Sequence, residues 1–262
     1  MSSIINIVTP ISHLFKNKEF AEIITRNSDF LECRDRSFKF HEGNQALFHC
    51  DFQPIHNLSD NFFSYLEKIK KTKKNLKLIS FHIASSCDRP FLKNGMFELG
   101  GRSYGYDEML FNAEKNFSVI KNIFGDIDVA IENNNFYPTP AYNFITEPSF
   151  INSVAENSDL KILFDIAHAK VTSVNKDIDY EDYKSQINFD RVIQLHICKH
   201  GLREDGLAFD AHDAPDDDLY NEVLGLIKLN SGIKYLTIEY YKDVEILIPI
   251  LEKFRNIKSY AS

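Results

Sequence analysis

IDVAIENNNFYPTPAYNFITEPSFINSVAENSDLKILFDIAH, residues 127–168, holds one full repeat of the chain's organisation. Ile127 to Glu132 is a short apolar run that ends on a carboxylate. Asn133 to Ala141 is polar and carries Pro138 and Pro140, so it reads as a loop. Glu147 to Glu156 has Pro148 at its start, which suits the first turn of a helix. Leu160 to Asp165 is a second apolar run, again closed by an acid, and His168 follows at once. Strand, loop, helix, strand is the unit of a parallel sheet.

The unit recurs in both directions. Upstream, Ile4 to Val8, Phe30 to Cys33, Gln45 to Cys50 and Leu76 to His82 read as strands; downstream, Arg191 to His196 and Ile233 to Glu239 do. Helical spacing of apolar residues marks 12–26, 58–70, 107–124, 216–229 and 244–254, with Ser59 placed as a cap and Gly125 as a stop. Tyr180 to Gln186 fits a short helix, while the rest of 167–187 has no clear pattern. Residues 83–104 and the stretch after His196 to Pro215 are predicted as long loops, which in compact domains tend to carry function. Eight strands with mostly helical returns in 262 residues predict a (β/α)8 TIM barrel, one domain over residues 1–262. An open, doubly wound sheet is the alternative, but it would not gather six successive strand ends at one place.

Those strand ends carry the chemistry. His49, His82, Glu132, Asp165, His196 and Glu239 each lie at or near the end of a strand-like run. In a parallel barrel all C-terminal ends meet at one face, so the six side chains converge. A carboxylate directly after a buried strand must be paired, hydrogen-bonded or bound to a cation, because a lone desolvated charge is costly. His168 adds a donor just past Asp165, and Asp210 and His212, two residues apart, point to one side of an extended segment. Imidazole and carboxylate together suit iron, manganese or zinc, and nine such donors exceed the needs of one ion. The predicted site is therefore a centre of two or three metals at the C-terminal face. His200 is the weakest member of the row, and His13, His41 and His56 receive no role. Asp213 to Asp218 is expected to open a helix, where acids suit the N-terminus.

Composition excludes other classes. Lys and Arg total 30 against 38 Asp and Glu, a net charge of −8, which disfavours nucleic acid as a partner. The basic run Lys68 to Lys74 reads as a solvated helix end. No apolar run reaches membrane-spanning length and no secretory segment opens the chain, so a cytoplasmic protein is expected. The four cysteines form no CxxC pair; Cys33, Cys50 and Cys198 read as small core residues and Cys87 as a loop residue that could be exposed. Phosphate-loop, dinucleotide and nucleophile-elbow motifs are absent.

Four stretches, in order, resemble the multinuclear non-haem iron-dependent oxidative enzymes, the family that includes the oxidase of methanobactin biosynthesis. Ile131 to Tyr137 is similar to its Leu-Glu-Asn element and Leu163 to Val171 to its Leu-Leu-Asp element. Gln194 to Gly201 is similar to its His-x-Ala-Gly-His element, and Asp210 to Pro215 with Leu219-Tyr220 to its Asp-x-His element. Cys198-Lys199 stands where that element has Ala-Gly, and His168 where an Asn is common. His49, His82 and Glu239 fall where the family supplies further ligands. The resemblance implies two or three Fe(II)/Fe(III) ions and O2 as co-substrate. It implies a ribosomally made precursor peptide as substrate, modified commonly at cysteine, and a partner protein that binds its leader. The main alternative is a xylose-isomerase-like sugar isomerase or epimerase with one divalent ion on Glu132, Asp165, His196 and Glu239. A trinuclear-zinc endonuclease is opposed by the negative charge, and a non-catalytic metal-storage or leader-binding barrel would tolerate loss of Glu132 or Asp210.

Overall fold

Eight strands close into a parallel barrel: β1 (Asn6–Pro10), β2 (Phe30–Arg34), β3 (Gln45–Cys50), β4 (Leu78–His82), β7 (Asp128–Glu132), β8 (Lys161–Asp165), β9 (Val192–Ile197) and β12 (Tyr235–Ile238). They stand in the order β1-β12-β9-β8-β7-β4-β3-β2 in this computed structural model, which describes residues 5–257. Around them run α1 (Lys18–Asn27), α2 (Asp60–Thr72), α3 (Tyr106–Phe124), α4 (Pro148–Asn157), α5 (Ile166–Lys176), α6 (Tyr180–Ser185), α7 (Asp217–Leu229) and α8 (Val244–Arg255). Two antiparallel hairpins lie outside the barrel: β5 (Phe91–Lys93) with β6 (Met96–Glu98), and β10 (Lys199–Leu202) with β11 (Ala208–Asp213).

Alternation along the strands fills the barrel in layers, because residues two apart share a face. Val8, Leu47, Leu78, Ala130, Leu163 and Tyr235 form a dry cluster inside the N-terminal half. Two residues further along the same strands stand His49, Ser80, Glu132, Asp165 and Thr237, and beyond them His82 and Glu239. Sequence periodicity alone thus converts an apolar floor into a polar chamber at the C-terminal end. The larger core lies outside the barrel, between sheet and helices. There α3 buries Met109, Ala113, Phe117, Ile120 and Phe124, a stripe at helical spacing, and each buried phenyl ring contributes about 2–3 kcal/mol of apolar transfer. Gly125 ends α3 at φ +65°, a conformation costly for a residue with a Cβ.

The strand positions hold to within two residues; Ile4 of the first predicted strand lies outside the described residues. Five local expectations are corrected. The predicted helix over 12–26 is a 3-10 turn, His13–Lys16, then α1, divided at Asn17, whose side chain caps α1 by accepting from Glu19 and Phe20. The two long loops contain the hairpins β5–β6 and β10–β11. Asp213 belongs to β11, and the helix begins only after Asp216, whose side chain caps it. Lys73 of the basic run turns inward and donates to the Phe40 carbonyl at 2.7 Å and to Gln45 Oε1 at 2.5 Å. Cys87 is fully buried, not exposed: its sulfur lies 3.2 Å from Ser85 Oγ.

Candidate metal centre

Glu132, the last residue of β7, is the hub. His82 Nδ1 lies 2.9 Å and His49 Nε2 3.3 Å from its Oε2; His196 Nδ1 lies 3.0 Å and His168 Nδ1 3.7 Å from its Oε1. Glu239 is the second hub. His196 Nδ1 stands 3.3 Å from its Oε1, His212 Nε2 3.3 Å from its Oε2, and Arg34 pairs with it directly. Asp210 joins the two halves, with His212 Nε2 at 3.0 Å and His168 Nε2 at 3.6 Å from its Oδ2. All nine sequence-predicted residues, from His49 to Glu239, meet at this face. His200 does not join them; it lines a separate cavity with Lys170 and Tyr180.

Local structure aims each donor. Asp165 ends β8 and caps α5: its Oδ1 accepts from the His168 amide at 2.7 Å, which frees Oδ2 to face the centre. The cap also sets His168 on the first turn, three residues on. Asn133 clamps the strand end, its Oδ1 accepting from the Asp165 amide at 2.7 Å and its Nδ2 donating to the Asp165 carbonyl at 2.9 Å. Ser80 holds His49 through Nδ1 at 2.7 Å, turning Nε2 inward. In β11, Asp210 and His212 meet as their i, i+2 spacing predicts, although His212 takes φ +47°, left-handed and uncommon outside glycine. Asn175 of α5 moors this hairpin, accepting from the Ala208 amide at 2.8 Å and donating to the Ala208 carbonyl at 3.1 Å.

These close approaches mostly do not make hydrogen bonds. Among the described residues, the buried atoms Glu132 Oε2, Asp165 Oδ2 and His196 Nδ1 have no hydrogen-bond partner, and Glu239 Oε1 has only its ion pair with Arg34. Buried polar atoms are rarely left so. Buried donors crowded together without partners are the arrangement a cation completes. Four overlapping groups have ligand atoms all within 4.8 Å of one another: His49, His82, Glu132; Glu132, Asp165, His168; Glu32, His196, Glu239; and Cys198, His212, Glu239. Glu132 and Glu239 each belong to two groups. The donor set is nitrogen and oxygen with one sulfur, which fits iron and other first-row metals.

Electrostatics agree. Burial pushes His49 and His212 down to about 4, so both imidazoles are neutral at pH 7, the form that ligates. Burial raises Asp165 to about 6. Burial also works against the charge of Glu132, but His49, His82 and His168 outweigh it and hold the carboxyl well below its usual range. Burial opposes ionisation of Asp210 too, and His168 overcomes it, holding Asp210 at about 2. Burial would lower His196, yet Glu32 and Glu132 hold it up at about 9. Without a metal, buried anions are thus balanced by protons on imidazole. A cation would replace those protons.

Comparison with known proteins places the chain. Residues 56–261 match the family described as RiPP precursor modification enzyme MbnB/TglH/ChrH. The chain belongs to this family. A UPF0276 protein of Shewanella loihica is 25% identical over 130 residues, 50% of this chain and 46% of that protein. One from Nitrosospira multiformis is 28% identical over 105 residues, 40% of this chain and 36% of that protein. The matched segments thus span less than half the length of these relatives. Among solved structures, a xylose isomerase-like TIM barrel protein of Mycobacterium smegmatis, in complex with magnesium, has a TM-score of 0.65 at 7% identity, covering 100% of this chain and 99% of that one. A xylose isomerase domain protein of Alicyclobacillus acidocaldarius has a TM-score of 0.63 at 12% identity, covering 98% and 99%. The fold is therefore that of the xylose-isomerase-like TIM barrels.

Two residues of the centre escape sequence reasoning. Glu32, on β2, is fully buried inside the barrel with Oε2 3.1 Å from His196 Nε2. Arg34, two residues on, reaches Glu32 Oε1 at 3.1 Å as well as Glu239. The two share a face at period two, the signal available in the sequence, but the apolar run that marks the strand ends at Cys33. No helix among the described residues is long and apolar enough to cross a membrane.

Proposed function

We propose that this protein is a multinuclear non-haem iron enzyme that uses dioxygen to oxidise a side chain, cysteine foremost, of a ribosomally synthesised precursor peptide. The observation that carries the reading is the set of buried donor atoms without hydrogen-bond partners, spread over four ligand groups in which Glu132 and Glu239 each take part twice. One divalent ion would leave most of those donors unsatisfied; two or three ions use them. His49, His82, Glu132, Asp165, His168, His196, Asp210, His212 and Glu239 would hold the ions. Bound there, iron supplies the redox chemistry toward dioxygen and substrate thiolate.

The remaining roles belong to the chain itself. Ser80 and Asn133 fix the orientation of His49 and Asp165, so that donors do not reorganise during turnover. Arg34 holds Glu239 and neutralises part of the buried negative charge. A cavity of about 400 Å³ opens beside Arg34 and Tyr241, with Lys16 and Arg36 on its wall. Tyr241 in turn lies against His212, with ring centroids 5.0 Å apart. In this reading a peptide side chain would approach the centre from that cavity, past Arg34 and Tyr241. Its basic wall suits a carboxylate near the modified residue. A one-domain barrel over residues 1–262 in the cytoplasm, served by a leader-binding partner protein, completes the reading.

Metal analysis of anaerobically purified protein, combined with an oxygen-uptake assay, tests it. About two to three irons per chain and dioxygen consumption with a cysteine peptide are expected. A single Mn2+ without oxygen uptake overturns the oxidase and promotes a sugar isomerase or epimerase on Glu132, Asp165, His196 and Glu239.

A further inference from the structure

We propose that Cys198 is a ligand of the metal position built from His212 and Glu239, so that the centre carries a protein thiolate. The inference rests on the metal-centre reading above and deepens it. Its origin is the alternation of β9. Gln194 and His196 point into the barrel: Gln194 Nε2 donates to Glu32 Oε2 at 2.6 Å, and His196 reaches both hub glutamates. Cys198 is the next residue of that alternation, one step nearer the mouth. Its sulfur is buried and shares a group with His212 and Glu239 whose ligand atoms are all within 4.8 Å of one another.

Glu239 serves both sides of the chamber: its Oε1 pairs with Arg34 and lies 3.3 Å from His196 Nδ1, and its Oε2 lies 3.3 Å from His212 Nε2. The Cys198 thiol donates to Asp210 Oδ1 at 3.6 Å, and that proton is the one coordination would displace. Around one ion, sulfur stands at roughly 2.3 Å and nitrogen or oxygen at about 2.0–2.2 Å, which puts neighbouring donors about 3–4 Å apart. On coordination the thiol loses its proton to solvent and the net charge of the position falls by one.

The other cysteines are engaged elsewhere. Cys33 contacts Ser37, Cys50 faces Asp35, and Cys87 contacts Ser85 and the Gly100 amide. A sulfur signal from the centre therefore belongs to Cys198. The consequence is an asymmetric centre. The His212–Glu239 position takes a soft ligand, which favours iron, zinc or cobalt over magnesium or manganese.

The test is anaerobic titration of metal-free protein with Co2+, followed by absorption spectroscopy. Wild type is expected to show an intense thiolate-to-cobalt charge-transfer band in the near ultraviolet. C198A and C198S are expected to lose that band while keeping the weaker visible cobalt bands of the other position. C198S preserves side-chain volume and carries the test should C198A fold poorly, as judged by circular dichroism. Binding of more than one cobalt per chain without the near-ultraviolet band overturns the thiolate and leaves the multinuclear centre standing. A band that survives both substitutions overturns the assignment to Cys198. A chain that takes up no cobalt overturns both.

Discussion

Glu32 takes contacts from four side chains inside the barrel. Gln194 Nε2 donates to Oε2 at 2.6 Å, Thr237 Oγ1 lies 3.4 Å from that atom and His196 Nε2 3.1 Å, while Arg34 holds Oε1. Burial alone would raise this carboxyl; His196 and Arg34 more than reverse it and hold it well below the usual range. Glu32→Ala leaves a buried guanidinium short of one partner and a buried imidazolium of another. Breaking a buried pair from one side costs about 3–5 kcal/mol, and urea unfolding should register a loss of that size. Glu32→Gln keeps the hydrogen-bonding volume and should cost less, but metal content should still fall, because His196 loses its anchor. An unchanged metal ratio in both variants would mean that Glu32 is irrelevant to the centre. At this scale the sequence was partly legible. Carboxylates that end apolar runs, Glu132 and Asp165, are conspicuous. Glu32 is not, since nothing local announces that its partner His196 lies 164 residues away.

The hairpin of β10 and β11 is the element that turns a strand-end site into a larger one. It was expected as a loop because its strands pair only with each other and carry little apolar alternation. The i, i+2 placement of Asp210 and His212 was readable regardless, since any extended segment aligns them. What holds the hairpin over the barrel is Asn175, on a helix that had no clear signal in the sequence. Asp165 nucleates that helix by capping it, and Asn175 reaches the Ala208 backbone by two hydrogen bonds and the Phe136 carbonyl by a third, at 2.7 Å. Asn175→Ala should cost about 1–3 kcal/mol in unfolding stability, the range for a lost side-chain network. It should also lower metal content by about one ion, that of His212 and Glu239, because a few tenths of an ångström in the hairpin misplace His212 and its neighbour Asp210. Full metal occupancy in this variant would show that the hairpin positions itself without α5.

Over the whole barrel, buried anions at one end are offset by protonated imidazoles, an arrangement a cation improves. Metal that binds only the folded state adds RT ln(1 + [L]/Kd), about 4 kcal/mol at a thousandfold excess over Kd. For a chain of this size that is on the order of 10 °C in Tm. Calorimetry with and without a chelator should show the shift, and its absence would argue that the face holds no resident ion. The barrel itself was legible because its signal repeats: short apolar runs at regular intervals, each with a polar residue at its end. The hairpins, the inward turn of Lys73 and the burial of Cys87 were not, because each depends on what a distant segment places alongside.

Sequence by itself determined the parallel barrel, its polar C-terminal chamber and nine of the residues that meet there. Period-two alternation and strand polarity follow from local stereochemistry, and closure brings all strand ends to one face whatever the helices do. Tertiary structure alone decided which donors share an ion's space. Glu132 and Glu239 became hubs, Glu32 and Arg34 entered the charge balance, His200 was turned away, and Cys198 was set beside His212 and Glu239. Those outcomes rest on distances between residues far apart in the chain, which only the packing of the whole barrel sets.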